Sequence, residues 1–282
     1  MRQIKIDIPG FGADTTPHTK PAICVFGEEN TGTTRFGCTV PHEQGAIGWL
    51  AIDKNSKVTL DKFKEELGLP IIVNQKPIIS HSDSLKLATE DDPRKVMDIY
   101  NDVIKKTVDQ LVKMSEHDGI ESMVIDRASQ LYDMLMFSHF GRKNQIESYQ
   151  RGPVNQDMID IINIFENKNL CLIHKSAEIW KDTGEVDKLG RKKQAPSGKF
   201  KPDGFNQIGR FVTAVVELTA KRGKCMGEDE SEKLADKYRI KVVTCKGNTL
   251  LEGQDLGHED LGGVAGEMIG WTSLLQAIGV EG

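Results

Sequence analysis

The chain has 282 residues, of which 38% are hydrophobic and 28% are charged, with a formal net charge of −5. No apolar run approaches the roughly 20 residues that a membrane-spanning helix needs, and the first residues lack the apolar segment of a secretory signal. Five cysteines without close pairs at metal-ligand spacing favour reduced thiols. We therefore expect a soluble cytoplasmic protein with no membrane partner, in which any nucleic-acid contact needs a local basic patch.

A short apolar run at residues 22–26 predicts the first core strand, and this run leads into a loop bounded by glycines. Phosphate-binding loops read Gly, four residues, Gly, Lys, then Ser or Thr, because backbone N–H groups and the next helix N-terminus surround phosphate oxygens. Gly27, Gly32 and Thr34 fit this pattern. An ordinary strand-to-loop turn is the alternative interpretation.

Position 33 departs from the pattern, because Thr33 stands where a lysine would reach the β- and γ-phosphates. A hydroxyl can donate a hydrogen bond but brings no positive charge, and phosphoryl transfer depends on offsetting the charge that develops between phosphates. The loss should impair catalysis more than binding, and Arg35 is the nearest possible substitute. The candidate nucleotide-binding residues are Gly27, Glu28, Glu29, Asn30, Thr31, Gly32, Thr33, Thr34 and Arg35.

The next elements alternate between helix and strand. A helix that starts near residue 33 can extend only to about Val40, because Pro41 would clash with the preceding turn. A strand at 47–52 then delivers Asp53 at its end. A charged helical piece and a short β-branched run follow, at 60–67 and Ile71–Val73.

An amphipathic helix starts at Pro93, behind an aspartate cap, and continues until Gly119. A short apolar strand at 122–126 follows it and ends in a carboxylate, that of Asp126. Two further helices, at 129–139 and from Pro153, flank a polar, basic loop at 141–152.

A strand at 170–173 ends in His174, and the lysine-rich segment 176–207 after it is predicted as a long surface loop or hairpin. Two β-rich runs follow, and Lys246-Gly247-Asn248 can turn the second run back into a strand at 249–252. The tail from residue 262 is a helix candidate. These elements predict an α/β fold with a mostly parallel central sheet, helices on both faces and a C-terminal β-hairpin.

Ligands of such sheets gather at the carboxyl ends of the strands, where Gly27, Asp53, Asp126 and His174 would all fall. With these residues, the chain resembles the RecA-like branch of P-loop ATPases, and more narrowly the phage-type RecA-like ATPases associated with single-strand annealing and recombination. The resemblance covers roughly residues 20–252. The segments that carry it are 27–34, 48–53, 123–126 and 170–175.

The resemblance implies a RecA-like nucleotide-binding domain at 21–252, between an N-terminal arm at 1–20 and a C-terminal helical tail at 253–282. It also implies ATP or ADP with Mg²⁺ as ligands, single-stranded DNA as a partner, and a homo-oligomer, either a ring or a filament. The family places DNA-contacting loops after the helix that follows Asp126 and after the His174 strand. The candidate DNA-binding residues there are Arg142, Lys143, Arg151, Arg191, Lys192 and Lys193.

The family pattern also implies roles for single residues. Thr34 would ligand Mg²⁺ directly, Asp126 would hold it through water, and His174 would sense the γ-phosphate. In the family, an acidic residue positions the attacking water, and Asn55 stands at the aligned position. Asp53 could position the water only if the alignment register is shifted. The candidate catalytic residues are Asp53, Asn55, His174 and Lys246.

Departures from the family pattern fall on the residues that do chemistry. Thr33 replaces the phosphate lysine, and Asn55 replaces a carboxylate. In the last hairpin, Lys246 remains to reach the nucleotide of a neighbouring subunit, while Asn248 stands in place of an arginine. These departures predict a weak or inactive ATPase.

Each of these assignments has a simpler alternative. Asp126 can be a helix cap, His174 can be a polar core residue bonded to the backbone, and Lys246 can be a solvated turn residue. No metal-binding cluster is visible in the sequence. The lysine-rich segment could neutralise DNA phosphates, and its aromatic residues could stack on bases, but acidic residues such as Asp182 and Glu185 dilute its charge.

The function that we expect is that of an ATP-binding protein acting on single-stranded DNA in recombination, annealing or replication, with weak hydrolysis. One alternative is a pseudo-ATPase that serves as a structural or regulatory oligomeric module without DNA binding. Another is an active NTPase in which a cation from elsewhere in the chain, or from a neighbour, replaces the missing lysine.

Overall fold

A computed structural model describes residues 20–28, 31–52, 54–74, 78–142, 146–186, 192–226, 232–246, 248–261 and 268–280. Within these residues the strands are β1 Ala22–Gly27, β2 Ala46–Ala51, β3 Ile71–Val73, β4 Ile120–Asp126, β5 Asn169–Val186, β6 Lys192–Pro202, β7 Ala214–Met226, β8 Glu232–Cys245 and β9 Asp255–Gly257. The α-helices are α1 Thr33–Gly37, α2 Lys54–Leu67, α3 His81–Thr89, α4 Pro93–Ser115, α5 Ala128–Phe140, α6 Gly152–Asn163 and α7 Trp271–Ala277.

All these strands belong to one sheet, ordered β3-β2-β4-β5-β1-β7-β8-β9, with β6 paired to β5 off this path. The neighbours from β3 to β7 are parallel. The pairs β5–β6, β7–β8 and β8–β9 are antiparallel. The chain is therefore an α/β protein with a mixed, mostly parallel sheet, which confirms the predicted fold class at this level.

A hydrophobic core lies on each face of the sheet. The side chains of β1 point alternately to opposite faces and therefore contribute to both cores. Cys24 and Phe26 join the core that holds buried residues of α4, α5 and α6. Ile23 and Val25 join the other core, with Phe36 of α1 and with buried residues of α7. Burial on both faces is typical of parallel strands covered by helices. The predicted placement of helices on both faces is thus confirmed.

Helix α1 and strand β5 are among the elements that differ in length from the predictions. Helix α1 ends at Gly37, before the expected limit near Val40, and Thr39 closes its last turn by donating its hydroxyl to the Phe36 carbonyl at 2.8 Å. Strand β5 continues past His174 to Val186 and pairs with β6. The lysine-rich segment is accordingly an antiparallel hairpin, one of the two forms predicted for it.

The C-terminal part corrects one expectation. Residues Thr249–Leu251 form a 3-10 turn instead of a strand, because the Asn248 side chain caps the turn by accepting the Leu250 N–H at 3.2 Å. The strand that does pair with β8 is β9. Helix α7 packs onto the core through Trp271, whose backbone N–H donates to Thr39 Oγ1 at 2.9 Å. Among the described helices, none has the length and apolar character that crossing a membrane requires.

Candidate functional site

Gly27 ends β1 at a point where the backbone has no space for a side chain. A Cβ there would lie 2.3 Å from Thr31 Oγ1 and 2.6 Å from the Leu218 carbonyl oxygen. Thr31 closes the loop onto itself, since its hydroxyl donates to the Glu28 carbonyl at 2.8 Å. The backbone of the loop therefore lies close to β7, with no side chain between them at Gly27.

Gly32 then turns the chain into α1. Its φ of 87° is a left-handed conformation that side chains disfavour, and its carbonyl accepts the Phe36 N–H at 2.9 Å. The N–H groups of the first helical turn have no partner within the helix. Thr33 and Thr34, which start α1, line a cavity directly beside them.

The parallel register brings the functional strand ends to one edge of the sheet. Gly27 pairs with Lys175 of β5, and Asp126 at the end of β4 pairs with Ile173. Asp126 is only 2% exposed and lines the same cavity as the loop. This arrangement agrees with the rule that open parallel sheets bind ligands at their carboxyl edge.

His174 is held by the backbone of the segment after β6. Its Nδ1 lies 2.9 Å from the Asp203 carbonyl oxygen, which only accepts, so Nδ1 carries the proton and Nε2 is left as an acceptor. Nε2 is buried without a hydrogen-bond partner among the described residues. Burial lowers the pKa of His174 from 6.5 to about 4, against the opposing effect of the Asp203 carbonyl. The imidazole is therefore neutral at neutral pH.

These groups surround one cavity of about 750 Å³, within the roughly 300–1,000 Å³ range of small-molecule sites. Polar and charged groups of the loop, Asp126 and His174 form one part of its wall. Phe63, Phe200 and Tyr238 add aromatic surface. The cavity can thus offer backbone N–H groups and cations to an anion, a carboxylate to a metal, and aromatic rings to a planar group.

Several predicted residues cannot be placed at the cavity. Glu29, Asn30, Asp53, Lys143 and Arg191 lie outside the described residues. Asn55 lies in the first turn of α2, and nothing is described of its side chain. The proposed choice between Asp53 and Asn55 as the water-positioning residue stays a prediction.

Lys246 lies at the opposite edge of the sheet from Gly27. Cys245 pairs with Ala214, which in turn pairs with Ile23 near the start of β1. The Lys246 ammonium donates to the Arg210 carbonyl at 2.7 Å, and burial lowers its pKa. Lys246 therefore does not line the cavity. Its predicted contact with a neighbouring subunit stays a prediction.

Three of the described candidate DNA-binding residues, Arg142, Lys192 and Lys193, make contacts within the chain. Arg142 donates to the carbonyl of Leu87. Lys192 pairs with Asp182 at 2.9 Å and Lys193 pairs with Glu185 at 3.0 Å. Arg151 lies at the start of α6, with its Nε buried.

Sequence reasoning did not assign eight of the lining residues to the site, namely Thr59, Phe63, Arg127, Ile173, Lys175, Ser176, Phe200 and Tyr238. Arg127 and Lys175 directly follow Asp126 and His174, so the rule that placed the strand ends could have found them. The aromatic residues come from α2, β6 and β8, and only the tertiary fold brings them to the loop.

The described residues contain no group of three or more His, Cys, Asp or Glu side chains able to hold a metal ion. No protein-family model matches the chain, and no curated protein matches it.

Proposed function

We propose that the chain is a RecA-like nucleotide-binding protein that takes ATP or ADP with Mg²⁺ in the cavity. One observation carries the proposal, namely that the glycine-bounded loop, the buried Asp126 and the neutral His174 meet around one cavity at the carboxyl edge of the sheet.

The loop fits the phosphates of a nucleotide. A Cβ at Gly27 would overlap the Leu218 carbonyl and Thr31, which explains a glycine where backbone must lie close to β7. The backbone N–H groups at the start of α1 are the donors that phosphate oxygens need. The loop therefore binds phosphate through its backbone, and Thr33 adds only a hydroxyl.

The oxygen atoms near the loop fit Mg²⁺, which proteins commonly hold through one or two carboxylates together with substrate phosphates. Thr34 and Asp126 both line the cavity and would hold the ion. The ion, when bound, neutralises phosphate charge.

In this proposal His174 does not donate a hydrogen bond to a phosphate. Because Nδ1 donates to Asp203 and the ring is neutral, Nε2 can accept a hydrogen bond but cannot donate one. His174 would therefore orient a water molecule beside the terminal phosphate. Together with the missing charge at Thr33, this arrangement favours nucleotide binding with slow hydrolysis.

The hairpin β5–β6 supports the proposed contact with single-stranded DNA, because it extends directly from the strand that carries His174. Lys181 and Lys199 are exposed along it, and Trp180 is 56% exposed. Cations and exposed aromatic rings are the features that single-strand binders combine. The proposed homo-oligomer, a ring or a filament, would align such hairpins along one strand.

A second candidate, a nucleotide-binding module without DNA binding, is favoured by the ion pairs of the same hairpin. Lys192 and Lys193 are already paired with Asp182 and Glu185. Paired cations release fewer counterions from a DNA strand. In this case the hairpin and its exposed Trp180 would contact a protein.

Isothermal calorimetry with ATP, in the presence and absence of Mg²⁺, tests the proposed nucleotide site. We expect Mg²⁺-dependent binding that weakens in Asp126→Asn, which preserves the size of the side chain and removes its charge. The matched control is Asp109→Asn, an exposed carboxylate on α4. Absence of heat at millimolar ATP for the unaltered chain would overturn the proposal.

A further inference from the structure

Arg127 has an unusual backbone. Its φ of 69° and ψ of 46° place it in the left-handed region, and it is the one non-glycine residue with positive φ among the described residues. This region is unfavourable for a residue with a Cβ, and it is rare outside Gly, Asn and Asp. Such strain persists where surrounding contacts impose it, and it concentrates at functional sites.

The surrounding contacts fix Arg127 at the start of α5. Its carbonyl accepts the N–H of Gln130 at 2.8 Å and that of Leu131 at 3.2 Å. Asp126, directly before it, is buried at the strand end. Arg127 is half-buried and lines the cavity together with Thr33 and Thr34.

Three cations line the cavity among the described residues, Arg35, Arg127 and Lys175. Arg35 and Lys175 are exposed, whereas Arg127 is half-buried. A charge interacts more strongly with a ligand when water is partly excluded around it. A guanidinium can also bind two phosphate oxygens at once, which an ammonium cannot do with the same geometry.

We propose that Arg127 is the cation that binds the nucleotide phosphates in place of the lysine missing at position 33. This inference rests on the proposed nucleotide site. It assigns the compensating charge to the residue after Asp126, and not to the neighbouring Arg35. It also gives a reason for the backbone of Arg127, since a glycine would adopt this conformation without strain but would bring no charge.

Arg127→Gly is the decisive variant, because it removes the cation while favouring the observed backbone. The variant should still unfold in one cooperative transition, since relief of the left-handed strain opposes the extra freedom of glycine in the unfolded chain. Calorimetry with Mg²⁺ and ATP should show an affinity lower by roughly 10- to 100-fold, the range expected for lost hydrogen bonds to charged groups. Arg127→Lys should recover part of the affinity.

Two comparisons make the assignment specific. AMP should lose less affinity than ATP in Arg127→Gly, because a contact with the outer phosphates is absent from AMP. The control is Arg94→Ala, which removes an exposed arginine of α4 and should leave the affinity for ATP unchanged.

The outcomes separate this inference from the nucleotide site itself. If the unaltered chain binds no ATP, both are overturned. If it binds ATP and Arg127→Gly binds equally well, the site stands and the assignment of Arg127 is wrong. An equal loss for ATP and AMP would also overturn the assignment, because it would show a general change of the cavity and not a lost phosphate contact.

Discussion

Thr33 limits the positive charge that the loop itself offers to a phosphate. Thr33→Lys should raise ATP affinity, and if the missing lysine is the main defect it should raise turnover by roughly 100- to 1,000-fold, as expected for one well-placed cation. Calorimetry and a phosphate-release assay measure the two effects. Thr33→Met, of similar length without charge, should produce neither.

The same variant also tests the other departures from the family pattern. If Asn55 and Asn248 mark further lost functions, Thr33→Lys should tighten binding and leave turnover near background. Brisk hydrolysis by the unaltered chain that slows in Thr33→Lys would contradict the description of Thr33 as a defect.

Gly27 is required by the close approach of β7. In Gly27→Ala, the new Cβ would meet the Leu218 carbonyl, which is backbone and cannot rotate away. We expect a loss of about 1–3 kcal/mol in the free energy of unfolding, together with weaker ATP binding, both measurable by urea denaturation and calorimetry. Gly152→Ala, where the added Cβ meets no atom within 4 Å beyond its chain neighbours and the backbone of its own helix, should be neutral or stabilising. Equal stability of the two variants would contradict the tight packing at Gly27.

His174 should make stability depend on pH. Its folded pKa of about 4 lies below the ordinary 6.5 because burial disfavours the charged ring. Between these values the unfolded chain binds more protons than the folded chain, so stability is fully present above pH 6.5 and falls as the pH decreases towards 4. The loss over this window should reach about 3 kcal/mol.

His174→Asn provides the comparison, because its amide can still donate to the Asp203 carbonyl but does not titrate. The difference in urea midpoint between the two proteins should change steeply from pH 6.5 to 5. A difference that is constant with pH would show that the folded ring titrates normally.

The hairpin β5–β6 is the element on which the DNA proposal depends. Replacing Arg191, Lys192 and Lys193 together with Ala should weaken binding of a single-stranded oligonucleotide and reduce the slope of log affinity against log salt, since fewer phosphates are neutralised. Fluorescence anisotropy at several salt concentrations measures both. The exposed lysines 95, 105 and 113 of α4 supply a control triple variant. Unchanged affinity and slope would favour the protein-binding alternative.

The elements that sequence reasoning placed best are those with a strong local signal. The strand at β1 is an unbroken apolar run, as expected for burial on both faces, and α4 has both its cap and its proline at the first turn. The sequence gives little sign that β5 continues past His174, because the residues there are polar and exposed. They are a strand because they pair with β6. The strand expected at 249–252 does not form, because the Asn248 side chain caps a 3-10 turn there and this turn competes with strand pairing.

For the whole molecule, sequence alone predicted the α/β sheet and brought the loop, Asp126 and His174 to one edge. Chain order predicts this because parallel strands align their carboxyl ends. The other walls of the cavity depend on tertiary packing. Tyr238 reaches Gly32 only through the β7–β8 pairing, and Phe200 only through the β5–β6 pairing.

A crystal structure of the chain with ATP and Mg²⁺ tests the central proposal most directly. It should show phosphate oxygens on the backbone N–H groups of residues 32–34, the ion between Thr34 and Asp126, and the aromatic residues of the cavity beside the base. A nucleotide bound elsewhere on the chain, with this cavity empty at saturating ATP, would contradict the proposal.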